Sequence, residues 1–180
     1  MLKNDKTRKL VMSFISYHRY PAKYLEDFRT DTDYFEYLRK HEPETLKGER
    51  VKSFEELLIA DWLYLNGVYY EYEYPYEHKT SSMQRNQYRP DFFLGESKYL
   101  EHFGINKEGR TAPQINSHDY NQSILWKRRL HKQKRTTLIE TYSWERQEGV
   151  ILKNLEKKLS EIGIITKPDD PKIIKELFER

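Results

Sequence analysis

Cysteine is absent from the 180-residue sequence, which excludes a disulfide framework, a thiol nucleophile and a thiolate zinc site. Any metal must be held by carboxylates, carbonyls or the six histidines, and hard cations such as Mg²⁺ or Mn²⁺ are the natural candidates. No run approaches the ~20 consecutive apolar residues that a membrane-spanning helix needs, and the mean hydropathy is -0.99. The basic start, MLKNDKTRK, leads into a short amphipathic segment and not into an apolar signal-peptide core, so a cytoplasmic protein is expected. The phosphate loop Gly-x-x-x-x-Gly-Lys-Ser/Thr is also missing, so this sequence carries no ATPase motor of that type. Charge of one sign is scarcely in excess: the formal net charge is +3, and only its distribution is informative. Residues 107–135 hold eight Lys or Arg against Glu108 and Asp119, a local net of +6 that suits a phosphate-bearing partner.

Aromatic residues are 14% of the chain, including 15 tyrosines, too much packing surface for a solvated tail. Apolar spacing predicts helices over residues 9–17 and 33–40, separated by the Tyr20-Pro21 break and wrapped around something larger. Ser53 caps a buried helix that is apolar on nearly every side and stops at Asn66-Gly67. Residues 68–74 alternate, with Tyr70, Tyr72 and Tyr74 on one side, and predict a strand. Residues 88–94 and 98–103 predict two more, joined as a hairpin by Gly95-Glu96-Ser97. A basic helix follows over 119–133, then a β-branched strand over 136–142. Residues 150–162 carry Ile151, Leu155, Leu159 and Ile162 at helical spacing, and Pro168 and Pro171 precede a short last helix. The expected organisation is a helical extension over 1–46, a central domain over 47–163 and a tail over 164–180. Helix, three strands, helix, strand is the order from 53 to 142, so the expected class is α/β with a mixed sheet covered on both faces.

The acids with chemical promise lie where that sheet brings them together. Asp91 and Glu101 are ten residues apart across the short hairpin, one beside Phe92 and Phe93, the other between Leu100 and Phe103. Two such carboxylates repel and raise each other's pKa unless a cation sits between them. Bound Mg²⁺ or Mn²⁺ resolves that conflict with oxygen ligands and retained waters. Glu56 opens the buried helix three residues after Ser53. That spacing is equally a capping box, and Glu55 is open to either role.

A glutamate on a helix (Glu56), the dipeptide Pro90-Asp91 and an acid on the next strand (Glu101) resemble the site of the PD-(D/E)xK nuclease superfamily. The resemblance implies a restriction-endonuclease-like core in which Glu56, Asp91 and Glu101 hold Mg²⁺ or Mn²⁺. The lysine expected two residues after the second acid is replaced by Phe103, whose side chain points the same way as Glu101. Lys98 has odd spacing from Glu101 and faces the opposite side. Related families carry this lysine on the following helix, where Tyr120, Ile124, Lys127 and His131 share one face. Lys127 is the candidate, an ion-pair partner or snorkelling lysine is its alternative, and Lys107 is the runner-up.

Ordered blocks over roughly residues 47–163 carry a closer likeness. They include Gly48-Glu49-Arg50-Val51-Lys52-Ser53, Tyr88-Arg89-Pro90-Asp91-Phe92, Tyr99-Leu100-Glu101-His102-Phe103-Gly104-Ile105, Trp126-Lys127-Arg128 and Leu138-Ile139-Glu140-Thr141-Tyr142. They are similar to the nuclease-like domain inserted in some bacterial UvrD/Rep-type helicases, including helicase IV-like proteins. The resemblance implies a metal-dependent DNA endonuclease working with helicase motor domains in cis or trans, in DNA repair or defence, as an insert or a freestanding relative. Its alternative is a catalytically degenerate nuclease fold that binds DNA or a helicase partner.

Other signals have two readings each. Arg128, Arg129, Lys132, Lys134 and Arg135 suit a DNA backbone, or form a solvated helix face. His102 alternates away from Glu101 and reads as a packed or hydrogen-bonded histidine. Glu140 reads as a buried acid paired with an arginine. The tyrosines of 64–76 suit base stacking, or core and edge packing.

Overall fold

Among the described residues four strands form one mixed sheet in the order β1 (Glu71–Tyr72), β2 (Phe92–Phe93), β3 (Lys98–Phe103) and β4 (Thr137–Tyr142). The computed structural model describes residues 22–83, 85–112 and 115–167. The predicted helix over 9–17, the Tyr20-Pro21 break and the last helix after Pro168 lie outside the described residues. Five α-helices are found among the described residues: α1 (Asp31–His41), α2 (Phe54–Leu65), α3 (Ser117–Lys134), α4 (Ser143–Gln147) and α5 (Ile151–Glu161). The first two strand pairs are antiparallel, and β3 and β4 are parallel. A parallel pair needs a crossover, and α3 supplies it.

The period-2 alternation of the strands divides the core. Phe92, Leu100 and Ile139 face Ile59, Ala60 and Leu63 of α2 and Ile151, Leu155 and Leu159 of α5. Phe93, Tyr99 and Leu138 face the other way, onto Tyr76, Tyr88 and the Trp126 and Leu130 side chains of α3. Both faces of the sheet are thus covered, as an α/β class requires. Helix α1 builds a separate cluster. Its Tyr34 and Leu38 pack on Phe54 and Leu57 at the start of α2, which explains why α2 is apolar on several sides.

The helix ends follow from local chemistry. Ser53 Oγ accepts the Glu56 N–H at 3.1 Å, and Thr30 caps α1 in the same way through Asp33 N–H. Gly67 follows α2 with a φ of +64°, a conformation that favours glycine. Helix α3 begins under an Asn116 cap and ends at Arg135, with its last turn carrying His131, Lys132 and Lys134.

Two predicted strands are shorter than expected. Glu73 adopts a φ of +48°, which interrupts the alternation after Tyr72. Tyr70 is therefore buried while Tyr74 is 44% exposed, and the three tyrosines do not share one environment. Pairing resumes irregularly, with Glu73 N–H donating to Asp91 O and Tyr76 N–H to Tyr88 O, so residues 88–91 run beside the first strand without completing a ladder. The hairpin turn forms as predicted, with Gly95, Glu96 and Ser97 all at positive φ. The short α4 and a 3-10 turn at Leu25–Asp27 lack a sequence period long enough to announce them. Among the described residues no helix is long and apolar enough to cross a membrane.

Candidate active site

Strand register brings the first two acids together. Phe92 pairs with Leu100, so Asp91, one step earlier, stands opposite Glu101. Asp91 Oδ2 accepts the His102 N–H at 2.7 Å, which ties the end of β2 to β3 through a side chain where the ladder itself stops.

Glu101 is only 1% exposed. Tyr88 Oη donates to its Oε1 at 2.6 Å, and Lys127 Nζ donates to its Oε2. The same ammonium lies 5.4 Å from the centre of the Phe103 ring and 5.7 Å from that of Tyr88. Helical spacing explains the approach, since Lys127 lies on the stripe of α3 that also buries Ile124 and His131. The lysine of α3 therefore meets the acid of β3 beside the ring that occupies position 103.

Neighbouring glutamates on α2 take different paths. Glu56 does not return to Ser53 to close a capping box. Its Oε2 accepts the Lys52 N–H at 3.1 Å and the Tyr72 hydroxyl at 2.5 Å. Glu55 instead accepts from His102 Nε2 at 2.9 Å, Ser143 Oγ at 2.7 Å and Arg146 Nε at 2.6 Å. His102 completes its bonding with Thr141 Oγ1 at 3.0 Å, so it is a packed, hydrogen-bonded histidine that links three elements. Burial opposes its charge, but the Glu55 carboxylate holds its pKa above the ordinary value.

The three predicted acids feel one another. Burial and the Asp91 charge push the Glu56 carboxyl up. Burial and Asp91 do the same to Glu101, against the pull of Lys127. Asp91 is itself raised by burial, although Lys127 and the His102 N–H favour its anion. Lys127 is the ammonium in direct contact with the group, while Lys52, which also feels Glu56 and Asp91, is paired with Glu73. Lys127, Lys52 and His102 offset the charge of the acids only in part, since all three carboxyls remain raised. An all-oxygen donor set short of cations fits a hard divalent ion in its chemistry. Among the described residues no three His, Asp or Glu side chains are grouped to hold a metal ion, and Glu101 is closed on Tyr88 and Lys127 while Glu56 is closed on Tyr72.

The basic residues of α3 divide. Arg128 forks onto Glu140, Nε to Oε1 at 2.6 Å and Nη2 to Oε2 at 2.7 Å, and also reaches Tyr142 Oη at 3.1 Å. Glu140 is thereby the arginine-paired acid that the sequence suggested. Arg129 bonds its own helix at Leu125 O, while Lys132, Lys134 and Arg135 are exposed. Lys107 pairs with Glu148 at 2.5 Å and Lys98 with Glu96, away from the acids.

Tyr88, Tyr72 and His131 are the site residues that the motif reading passed over. Tyr88 Oη, besides serving Glu101, lies 3.2 Å from His131 Nε2, and His131 Nδ1 lies 2.7 Å from Thr136 Oγ1. Burial and nearby Lys127 push the His131 pKa down to about 4. Nothing in the spacing of these residues singles them out, since the site contacts of all three join distant parts of the chain. Comparison with family models, curated proteins and solved structures found no match to this chain.

Proposed function

We propose that the chain is a metal-dependent DNA endonuclease domain with a restriction-endonuclease-like core of the PD-(D/E)xK kind, acting with a UvrD/Rep-like helicase motor in DNA repair or defence. One observation carries the reading: Asp91, just before β2, accepts the His102 N–H next to Glu101, and Lys127 closes on Glu101 beside Phe103. The helix-borne Glu56 adds a third acid in the same electrostatic field. The order of elements and the antiparallel, antiparallel, parallel sheet support such a core. The helicase partner and the biological setting rest on the sequence resemblance alone.

In this reading Glu56, Asp91 and Glu101 hold Mg²⁺ or Mn²⁺, which when bound polarises a phosphate oxygen and acidifies a water. Lys127 supplies the positive charge nearest the acids. Its role in this reading is to offset negative charge developing on the phosphate. Tyr88 holds the Glu101 carboxylate in place through the 2.6 Å hydrogen bond. Lys132, Lys134 and Arg135 give the outer face of α3 and its C-terminal end a charge suited to the DNA backbone.

The test is cleavage of end-labelled single-stranded, duplex and forked DNA in Mg²⁺ or Mn²⁺. Cutting by the unmodified chain, abolished in Asp91→Asn and reduced at least ~100-fold in Lys127→Ala, is the expected result. A second reading, a degenerate nuclease fold that binds DNA without cutting it, is favoured by the apolar Phe103 and by the closed state of Glu101. It predicts DNA binding without cleavage, and no rise in melting temperature when Mn²⁺ is added.

A further inference from the structure

A cleft of about 770 Å³ opens between the Leu25–Asp27 turn with the start of α1 on one side and residues 104–112 on the other. Its floor contains Glu56, Glu55, His102 and Ser143, so it leads directly to one of the three acids. The volume is within the roughly 300–1,000 Å³ typical of ligand sites. The walls carry Phe28, Tyr34 and Phe35 from one side and Arg110 from the other, with Arg29 beside the aromatic rings.

Two features of these walls narrow the occupant. Phe35 is 53% exposed on a helix whose neighbouring Tyr34 is buried, and the two rings are 5.8 Å apart. An aromatic face left open beside a packed ring is a stacking surface for another flat group. The charges sort as well. Glu26 and Glu55 are both engaged by Arg146, whereas Arg29 and Arg110 form no ion pair among the described residues. The charge left without an ion-pair partner along the walls is thus positive, from Arg29 and Arg110.

We propose that this cleft seats single-stranded DNA: an unpaired base stacks on Phe35, Arg29 and Arg110 hold flanking phosphates, and the strand is led to Glu56. Stacking on a side chain requires a base whose face is free, and a duplex hides those faces inside its own stack. The cleft therefore selects single strands over duplex. The proposal rests on the nuclease reading for what happens at the floor of the cleft, and binding itself is tested without cleavage.

The full chain is titrated in EDTA against a fluorescein-labelled dT12 strand and a 12-base-pair duplex, with anisotropy as the readout. The expected result is single-strand affinity at least ~10-fold above that for duplex, reduced roughly 10-fold by Phe35→Ala and retained by Phe35→Tyr. Arg110→Ala weakens single-strand binding and flattens its salt dependence. Equal affinity for both DNAs, no binding, or single-strand affinity untouched by Phe35→Ala overturns the proposal. Melting temperatures of the variants confirm folding, for which the exposure of both side chains is favourable. Cleavage in Mn²⁺ is scored separately. Phe35-dependent binding without any cleavage removes the nuclease reading and keeps the cleft, while Asp91-dependent cleavage with Phe35-independent binding does the reverse.

Discussion

Lys127 and Glu101, 26 residues apart in the chain, close a half-buried ion pair between α3 and β3. The next residue of the helix repeats the device, because Arg128 forks onto Glu140, the partner of Glu101 in the parallel β3–β4 register. Two consecutive cations of one helix thus answer two adjacent acids of the sheet. Helix α3 is keyed to the sheet by charge as well as by the packing of Trp126 and Leu130.

Removing the ammonium leaves Glu101 buried without its counter-charge. Lys127→Met is expected to lower stability by about 1 kcal/mol at pH 9, above the raised Glu101 value of about 8. The Glu101 pKa is already raised in the folded protein, and the substitution raises it further. A folded state that binds the proton more tightly than the unfolded chain loses stability as pH rises from the ordinary carboxylate range through the raised value. The deficit should shrink by half or more at pH 5, and Glu101→Gln added to Lys127→Met should recover most of it. Urea denaturation of both variants at the two pH values checks this, and a deficit independent of pH would assign the effect to packing.

His131 gives a pH effect of opposite sign. Its pKa is pushed down to about 4 in the folded protein, against about 6.5 in an unfolded chain. Between those values the unfolded state binds more protons, so the stability carried by neutral His131 is complete above pH 6.5 and is lost as pH falls toward 4. The limiting slope for one proton is about 1.4 kcal/mol per pH unit. The stability difference between the parent and His131→Gln should therefore increase from pH 4.5 to 6.5 and level off above it. A difference that stays flat across this range would mean that His131 titrates alike in both states.

Residues of the basic helix face should separate into two groups. Arg128→Ala breaks a forked, partly exposed pair and is expected to cost about 1 kcal/mol of stability. Lys132→Ala with Lys134→Ala should leave stability within about 0.5 kcal/mol and instead weaken DNA binding, lowering its salt slope by about one for each phosphate no longer neutralised. Thermal melts and salt-dependent anisotropy distinguish the groups. Unchanged DNA affinity in the double variant would show that this face is merely solvated.

The residues that were legible in the sequence are those whose placement depends on local repetition. The strand over Lys98–Phe103 and the inward stripe of α3 follow from periods of two and 3.6. The ten-residue spacing of Asp91 and Glu101 across a tight turn brings them face to face, since a short hairpin permits few registers. The lengths of β1 and β2 were not legible, because a single residue, Glu73, leaves the extended region and no side-chain pattern records that choice.

What the amino-acid order determined by itself is therefore the set of longer elements, the face each side chain presents and the approach of Asp91 to Glu101. Tertiary structure alone decided the partners of the two adjacent glutamates on α2. Glu55 is drawn to His102, Ser143 and Arg146, and Glu56 is left to Tyr72 and the field of Asp91. The cleft beneath α1 is decided in the same way, by packing between segments far apart in sequence. Periodicity specifies a direction relative to the local backbone, whereas the partner met in that direction, and the charge it carries, depend on where the rest of the chain is placed.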